Sequence, residues 1–224
     1  MTNRRKMLSA AACVVLLSAC GGGSEEPKGD LYVAYEYPSE TRLNLFDVID
    51  VRPTLSGFDG RKPTFKLEPY SQLPDGSTFS TSDGTIRGYA AKAGYFDVTS
   101  QLSLDGYINT LFAKTAISVG TDISVVYTKP AIRFISSAPF GPITPIVSGL
   151  LPNDSIGNFR LRLNKSTGQP QTVLPPGFSL DAQTGTFGGT PATRGSYQLR
   201  LDATVTRGGK EATVEFDLFF NIAI

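Results

Sequence analysis

Histidine and tryptophan are absent from the 224 residues, and the two cysteines, Cys13 and Cys20, both lie near the N-terminus. Without an imidazole the commonest general base and the commonest zinc ligand are missing. With no thiol after residue 20, the body of the chain has no cysteine nucleophile. Most hydrolase designs are thereby excluded. A Ser–Lys dyad or paired carboxylates would still be chemically possible, but Lys165–Ser166 stands in a polar stretch with no accompanying motif, so the chain reads as non-enzymatic. Charge of one sign is scarce as well: 21 Lys and Arg stand against 20 Asp and Glu, and after the first six residues the bases form no cluster. That balance argues against nucleic acid or an anionic lipid as partner. Long apolar runs are also lacking, since the run from Leu8 to Leu17 is too short to span a bilayer. Helical spacing with caps is absent after residue 30.

What is present begins with Arg4, Arg5 and Lys6 ahead of that apolar run, the layout of a secretory signal. The run ends in Leu17-Ser18-Ala19-Cys20, which resembles the lipobox of bacterial lipoproteins. The resemblance implies that residues 1–19 are removed as a signal peptide and that Cys20, diacylated and N-acylated, becomes the first mature residue. Residues 20–30, with Gly21-Gly22-Gly23-Ser24, then read as a flexible tether. Each buried lipid methylene is worth about 0.8 kcal/mol and several chains anchor stably, so the membrane is an expected partner through the lipid. Gly21, where an Asp would favour inner-membrane retention, implies the outer membrane, facing either the periplasm or the exterior. Loss of the three N-terminal bases takes the 21 basic residues to 18 against 20 acidic ones. No disulfide is then possible, and burial of a core must hold the protein together.

The chain reads as one module written twice. Leu73-Pro74-Asp75-Gly76 recurs as Leu174-Pro175-Pro176-Gly177, and Asp83-Gly84-Thr85 falls on Thr184-Gly185-Thr186, at an offset of 101. Leu31 to Pro38 aligns with Ile123 to Pro130 at an offset of 92, which sets Tyr127 on Tyr35, and the second copy carries nine extra residues. These extra residues, near Leu163 to Val173, are expected to form a polar loop. Each copy alternates apolar and polar residues with a period of two, cut by Gly, Pro, Asp and Asn, which is the strand-and-turn pattern. Tyr197 to Val205, a turn at Arg207-Gly208-Gly209-Lys210, and Ala212 to Ile222 make a hairpin. Phe96 to Leu104, Asp105-Gly106, and Tyr107 to Val119 repeat it. The expected fold is all-β, with about seven strands per copy in two sandwiches, residues 31–120 and 121–224, joined with almost no linker.

Residues Leu174 to Tyr197 add a more specific likeness. Leu174-Pro175-Pro176-Gly177-Phe178, Asp181, Thr184-Gly185, Gly189-Thr190-Pro191 and Gly195-Ser196-Tyr197 resemble the putative-Ig, cadherin-like repeats of bacterial surface proteins. The first copy keeps Leu73-Pro74, Gly76, Asp83-Gly84, Gly88 and Gly94 but has Tyr89-Ala90 in place of Thr-Pro. The resemblance implies immunoglobulin-like or cadherin-like sandwiches and a role in adhesion, scaffolding or binding.

Several residues are candidates for a ligand site. Tyr32, Tyr35 and Tyr37 share one strand, and exposed rings there would bind polysaccharide or peptidoglycan, the alternative being that they fill the core. Lys165, in the expected loop, is a second glycan candidate. Asp122 at the junction and Asp154 in a turn are the weak calcium candidates, the alternative being solvated turn acids; no other cofactor is implied. Arg160 and Arg162, flanking Leu161, read as the wet face of a strand rather than an anion site. The expected partner is an envelope protein or glycan.

Overall fold

Residues Gly94 to Leu104 and Leu111 to Gly120 pair antiparallel so that Val98, Ser100, Leu102 and Leu104 lie on the same face as Ala113, Thr115, Ile117 and Val119, and all eight are buried. Strict alternation puts each strand's apolar set on that one face, and two sheets facing each other across it make a sandwich. In a computed structural model, residues 33–58, 60–105, 109–128, 133–135, 139–166 and 169–223 are described. The signal segment, Cys20, the tether and Tyr32 lie outside them.

In chain order the strands before residue 121 are β1 (Ala34–Glu36), β2 (Glu40–Asn44), β3 (Val48–Val51), β4 (Thr54–Ser56), β5 (Pro63–Leu67), β6 (Ser77–Phe79), β7 (Ile86–Tyr89), β8 (Gly94–Leu104) and β9 (Leu111–Gly120). Those after it are β10 (Ser124–Val126), β11 (Arg133–Ile135), β12 (Phe140–Ile143), β13 (Ile146–Ser148), β14 (Ser155–Ser166), β15 (Gln169–Gln171), β16 (Phe178–Leu180), β17 (Phe187–Gly189), β18 (Gly195–Arg207) and β19 (Lys210–Ala223). The first set forms sheets β2-β9-β8-β5, β3-β7-β6 and β1-β4; the second forms β11-β19-β18-β14-β15, β12-β17-β16 and β10-β13. The chain is all-β, and among the described residues no helix is long and apolar enough to cross a membrane.

Nine and ten strands stand against the seven expected per copy, in part because the first segment of each is split between two sheets. In the first copy the break falls at Pro38, whose missing N–H cannot continue a ladder. β1 pairs antiparallel with β4, and beyond Pro38 the chain changes sheets, so that β2 runs parallel to β9. β10 pairs with β13 in the same way, and β11 runs parallel to β19. The expected polar loop near Leu163 to Val173 is instead a hairpin, since β14 continues to Ser166 and Lys165 pairs with Pro170 of β15. At the end of the second copy the expected hairpin is present, with Arg207 paired to Lys210 and positive φ at Gly208 and Gly209, as a tight two-residue turn requires.

One register differs from the sequence alignment. Ala34 pairs with Ser56 and Ser124 with Ser148, so the offset between copies is 90 at the first strand and 92 at its partner. Tyr127 therefore takes the place of Tyr37, and Val125 that of Tyr35. A slip of two residues keeps every side chain on its face, so period-two patterning could not detect it.

The structural counterpart of this match is a brace. The Tyr37 hydroxyl donates to the Gly84 carbonyl, and the Tyr127 hydroxyl donates to the Gly185 carbonyl at 2.5 Å. Both glycines are left-handed, with φ of 70° and 69°. A Cβ on Gly84 would lie 2.8 Å from the Phe65 ring, and one on Gly185 would lie 2.7 Å from the Phe159 ring. Burial pushes the Tyr127 hydroxyl up to about 12, above its ordinary 10, because the phenolate would be desolvated.

Tyr127→Phe is expected to lower stability at pH 7 by about 1–2 kcal/mol, the usual cost of leaving a buried carbonyl without its donor. The native state holds this proton more tightly than the unfolded chain, so the contribution is fully present below pH 10 and is lost as pH rises from 10 to about 12. Urea unfolding of both proteins at pH 7 and near pH 12 should show the gap narrowing; a gap that stays constant would contradict the brace.

Candidate functional site

Tyr35 and Tyr37 do not form an exposed platform. Both are buried, at 6% and 9% exposure, and the Tyr35 hydroxyl lies 2.5 Å from Ser100 Oγ and 3.2 Å from the Tyr37 hydroxyl. Burial raises both phenols above their ordinary range. The expectation of a sugar-binding tyrosine face is corrected on this ground for these two rings. Lys165 is exposed, as a ligand residue would need, but it stands on β14 beside the sheet rather than in a loop.

The expected calcium pair is also corrected. Both Asp154 oxygens accept from Arg207, at 3.0 Å from Nε and 2.7 Å from Nη2, and Oδ2 takes the Leu151 N–H at 2.9 Å. The guanidinium holds the Asp154 carboxyl below the ordinary carboxylate range. Asp122 is exposed and acts on Arg207 through its charge. The cation that Asp154 meets is therefore a side chain. Among the described residues no group of three or more His, Cys, Asp or Glu is placed to hold a metal ion.

Arg207 also reaches across to the first copy, where its guanidinium sits 4.7 Å from the centroid of the Phe46 ring. Phe46 is left-handed at φ 72°, a conformation that costs a non-glycine residue about 1–3 kcal/mol. Its N–H donates to Ala90 at 2.8 Å, which helps to hold that turn. Beside it the Thr213 N–H donates to the Ala91 carbonyl at 2.7 Å, Lys92 pairs with Glu215 at 2.8 Å, and the Tyr89 hydroxyl donates to the Glu211 carbonyl at 3.2 Å. One buried apolar cluster runs through the junction, taking Ile117 and Val119 from one side and Val125, Val205 and Val214 from the other.

Two clefts flank this junction. The one of about 190 Å³ is lined in part by Lys92, Ser124, Val125, Glu215 and Phe216, and the one of about 450 Å³ by Gln72, Asp75, Lys92 and Phe96. Each contains a single carboxylate, so neither brings together the acid pair a glycosidase would use. Glu215 is held below the ordinary range by Lys92, which suits an ion pair and not a general acid.

The outer face of β14-β18-β19 carries Arg160 and Arg162, exposed as the alternation implied, and Asp202, which the sequence reading passed over. Asp202 pairs with Arg160, and although it points outward its side chain is 1% exposed. Arg160 Nε donates to its Oδ1 at 2.6 Å, and Arg162 Nε lies 2.7 Å from its Oδ2, with both guanidiniums about half exposed. The register shifts between Leu161 and Leu163, and Arg162 lies inside that irregularity. Arg200 pairs with Asp217 at 3.2 Å on the same face. An alternating strand marks Asp202 only as outward; its enclosure by two arginine stems could not be read from the pattern.

Residues 124–218 match the family model described as "Putative Ig domain". That stretch is similar to an Ig-like domain. No curated protein matches the chain at a significant level. Among solved structures, the protocadherin GammaB4 extracellular domain is 15% identical over 86% of this chain and 35% of its own, with a TM-score of 0.33. Drosophila N-cadherin EC1-4 is 11% identical over 85% of this chain and 50% of its own, with a TM-score of 0.34. A SusE-like surface-located polysaccharide binding protein from Bacteroides thetaiotaomicron is 13% identical over 84% of this chain and 89% of its own, with a TM-score of 0.29. The chain thus spans about a third to a half of the two cadherin-type chains.

Arg207→Met should lower the melting temperature, because it leaves the enclosed Asp154 carboxylate without its cation. In the unaltered protein, calcium and a chelator should give the same melting temperature. A calcium-dependent rise would show that these acids take a metal after all.

Proposed function

We propose that this chain is a non-enzymatic, lipid-anchored cell-envelope protein whose two Ig-like modules, copies of one unit, act as a joined spacer that presents binding faces. The junction carries this reading. A backbone hydrogen bond, a salt bridge, a cation–π contact and a shared apolar cluster fasten one set of sheets to the other, with residues 121–123 between the last strand of one and the first of the next. Such fastening suits a part that sets a distance or an orientation; it gives no hinge with which to close on a substrate. The N-terminal basic and apolar segments with Leu17-Ser18-Ala19-Cys20 support export and acylation of Cys20, and Gly21 supports the outer membrane. The tether at residues 20–30 would hold the pair off the surface.

Recurrence of the same bonds supports duplication. Ser77 N–H donates to Pro74 and Phe178 N–H to Pro175; Tyr89 N–H donates to Gly76 and Thr190 N–H to Gly177; Ala91 N–H donates to Asp75 and Ala192 N–H to Pro176. The Leu-Pro-x-Gly motif thus performs one structural task in both halves.

In intact cells carrying a C-terminally tagged chain, the native protein should fractionate with membranes and crosslink to a defined envelope partner, while Cys20→Ser should be released and lose that partner. Membrane association unchanged by Cys20→Ser would overturn the anchor, and the absence of any crosslinked envelope component would overturn the spacer role.

A further inference from the structure

Resting on the binding-module reading, we infer that the outer face of β14-β18-β19 is a binding site for an acidic polysaccharide, a sugar chain bearing carboxylate or sulfate groups. The argument starts from Asp202. Its carboxylate is fully buried, and burying a charge costs several kcal/mol that pairing only partly returns, so it does not stand there for stability. What it does is fix two arginines. It takes Nε of Arg160 at 2.6 Å and lies 2.7 Å from Nε of Arg162, while the terminal amino groups of both guanidiniums donate no hydrogen bond to any described residue. Two half-exposed guanidiniums set side by side around Asp202 form a preorganised pair of donors, and Glu215, opposite Asp202 on β19 and itself paired with Lys92, stands beside them. Their free planar donors match a carboxylate or a sulfate.

The other half of the chain serves as a control. By register, Lys66 opposite Gln101 occupies the place of Arg160 opposite Asp202, and Glu68 accepts from Gln101 where Arg162 meets Asp202. That sheet forms with a neutral amide at the centre and no net charge, so the fold does not require the arginine pair.

The face around the arginines favours a glycan over a protein or a membrane. Two rows along the same face, beyond the Arg200–Asp217 pair, Lys165 pairs with Gln198 and Gln198 with Phe219, which places a cation, an amide and an exposed ring side by side on the outer face. A single ring platform beside polar donors suits a pyranose, whereas a protein partner would need a dry apolar centre. Asp217 and Glu215 on the same face hold down the broad positive potential that a polyanionic surface such as lipid would require.

The test uses the full-length purified protein and calorimetric titration with alginate, dextran sulfate, neutral dextran, polyglutamate and phosphatidylserine vesicles. Alginate or dextran sulfate should bind in a salt-sensitive manner, the two polymers distinguishing uronate from sulfate, and the other three should not. The triple substitution Arg160→Lys, Arg162→Glu, Asp202→Gln installs the set that the first sheet already carries. It should keep the melting temperature within a few degrees and weaken binding about tenfold or more. Lys66→Gln should change nothing. Equal affinity in the triple variant, no binding of either charged polymer, or equal binding of polyglutamate or vesicles would overturn the proposal. Failure here with membrane fractionation intact leaves the spacer standing, whereas release of the native protein from membranes removes the anchor and leaves this site untouched.

Discussion

A tyrosine hydroxyl donated to a glycine carbonyl in the facing turn is the interaction on which each sandwich depends. Its three parts are conditional on one another. The glycine must lack a Cβ because a phenylalanine ring, Phe65 or Phe159, fills the space where one would sit. Its left-handed backbone turns the carbonyl inward, and a carbonyl buried without a donor costs more than an ordinary hydrogen bond returns. The hydroxyl of Tyr37 or Tyr127 supplies that donor from the end of the first strand, next to the point where the chain changes sheets. The brace thus ties the two sheets together where neither has a ladder to the other. In the first half it extends through Tyr35 and Ser100 into a buried network, while in the second Val125 takes the place of Tyr35 and the network is a single bond.

Much of this frame was legible in the sequence. The β18-β19 hairpin follows from alternation over a long stretch and two adjacent glycines, and the Leu-Pro-x-Gly repeat marks the same turn twice. What the pattern could not supply was which side of a strand faces inward when both sides carry polar atoms. Tyr35 and Tyr37 lie on one face by spacing alone, but only the opposing Gly84 and Ser100 make that face the interior. Asp202 fails in the opposite sense, being outward by alternation and yet enclosed. The hairpin of β14 and β15 was read as a loop because Lys165-Ser166-Thr167-Gly168-Gln169-Pro170 has the composition of a turn; the long β18 offers its neighbour a ladder that such composition does not reveal.

At the junction, the cation that meets the enclosed Asp154 carboxylate is a guanidinium. A guanidinium differs from a metal ion in being covalently part of the fold, so its presence does not vary with the surroundings. Arg207 belongs to the end of β18, its anion Asp154 to the turn before β14, and its aromatic platform Phe46 to the other half of the chain. One side chain therefore couples three segments, and it does so at a strained turn held by two bonds, from the Phe46 N–H to the Ala90 carbonyl and from the Ala90 N–H to the Asp47 carbonyl. The bonds of Arg207 to Asp154 and its place over Phe46 thus fasten one half of the chain to the other.

Two halves that share the same turn bonds separate what a fold requires from what it can spare. Positions that keep their chemistry in both halves, such as the brace tyrosine, its glycine and the ring beneath, are those without which neither sandwich closes. Positions that diverge are released from that duty. The centre of the outer sheet face diverges: in one half Gln101 donates to the buried Glu68, while in the other Asp202 is enclosed by two arginines beside a register shift. Enclosing Asp202 costs desolvation that its two ion pairs only partly return, so this half carries on its outer face a charge arrangement that the first half folds without.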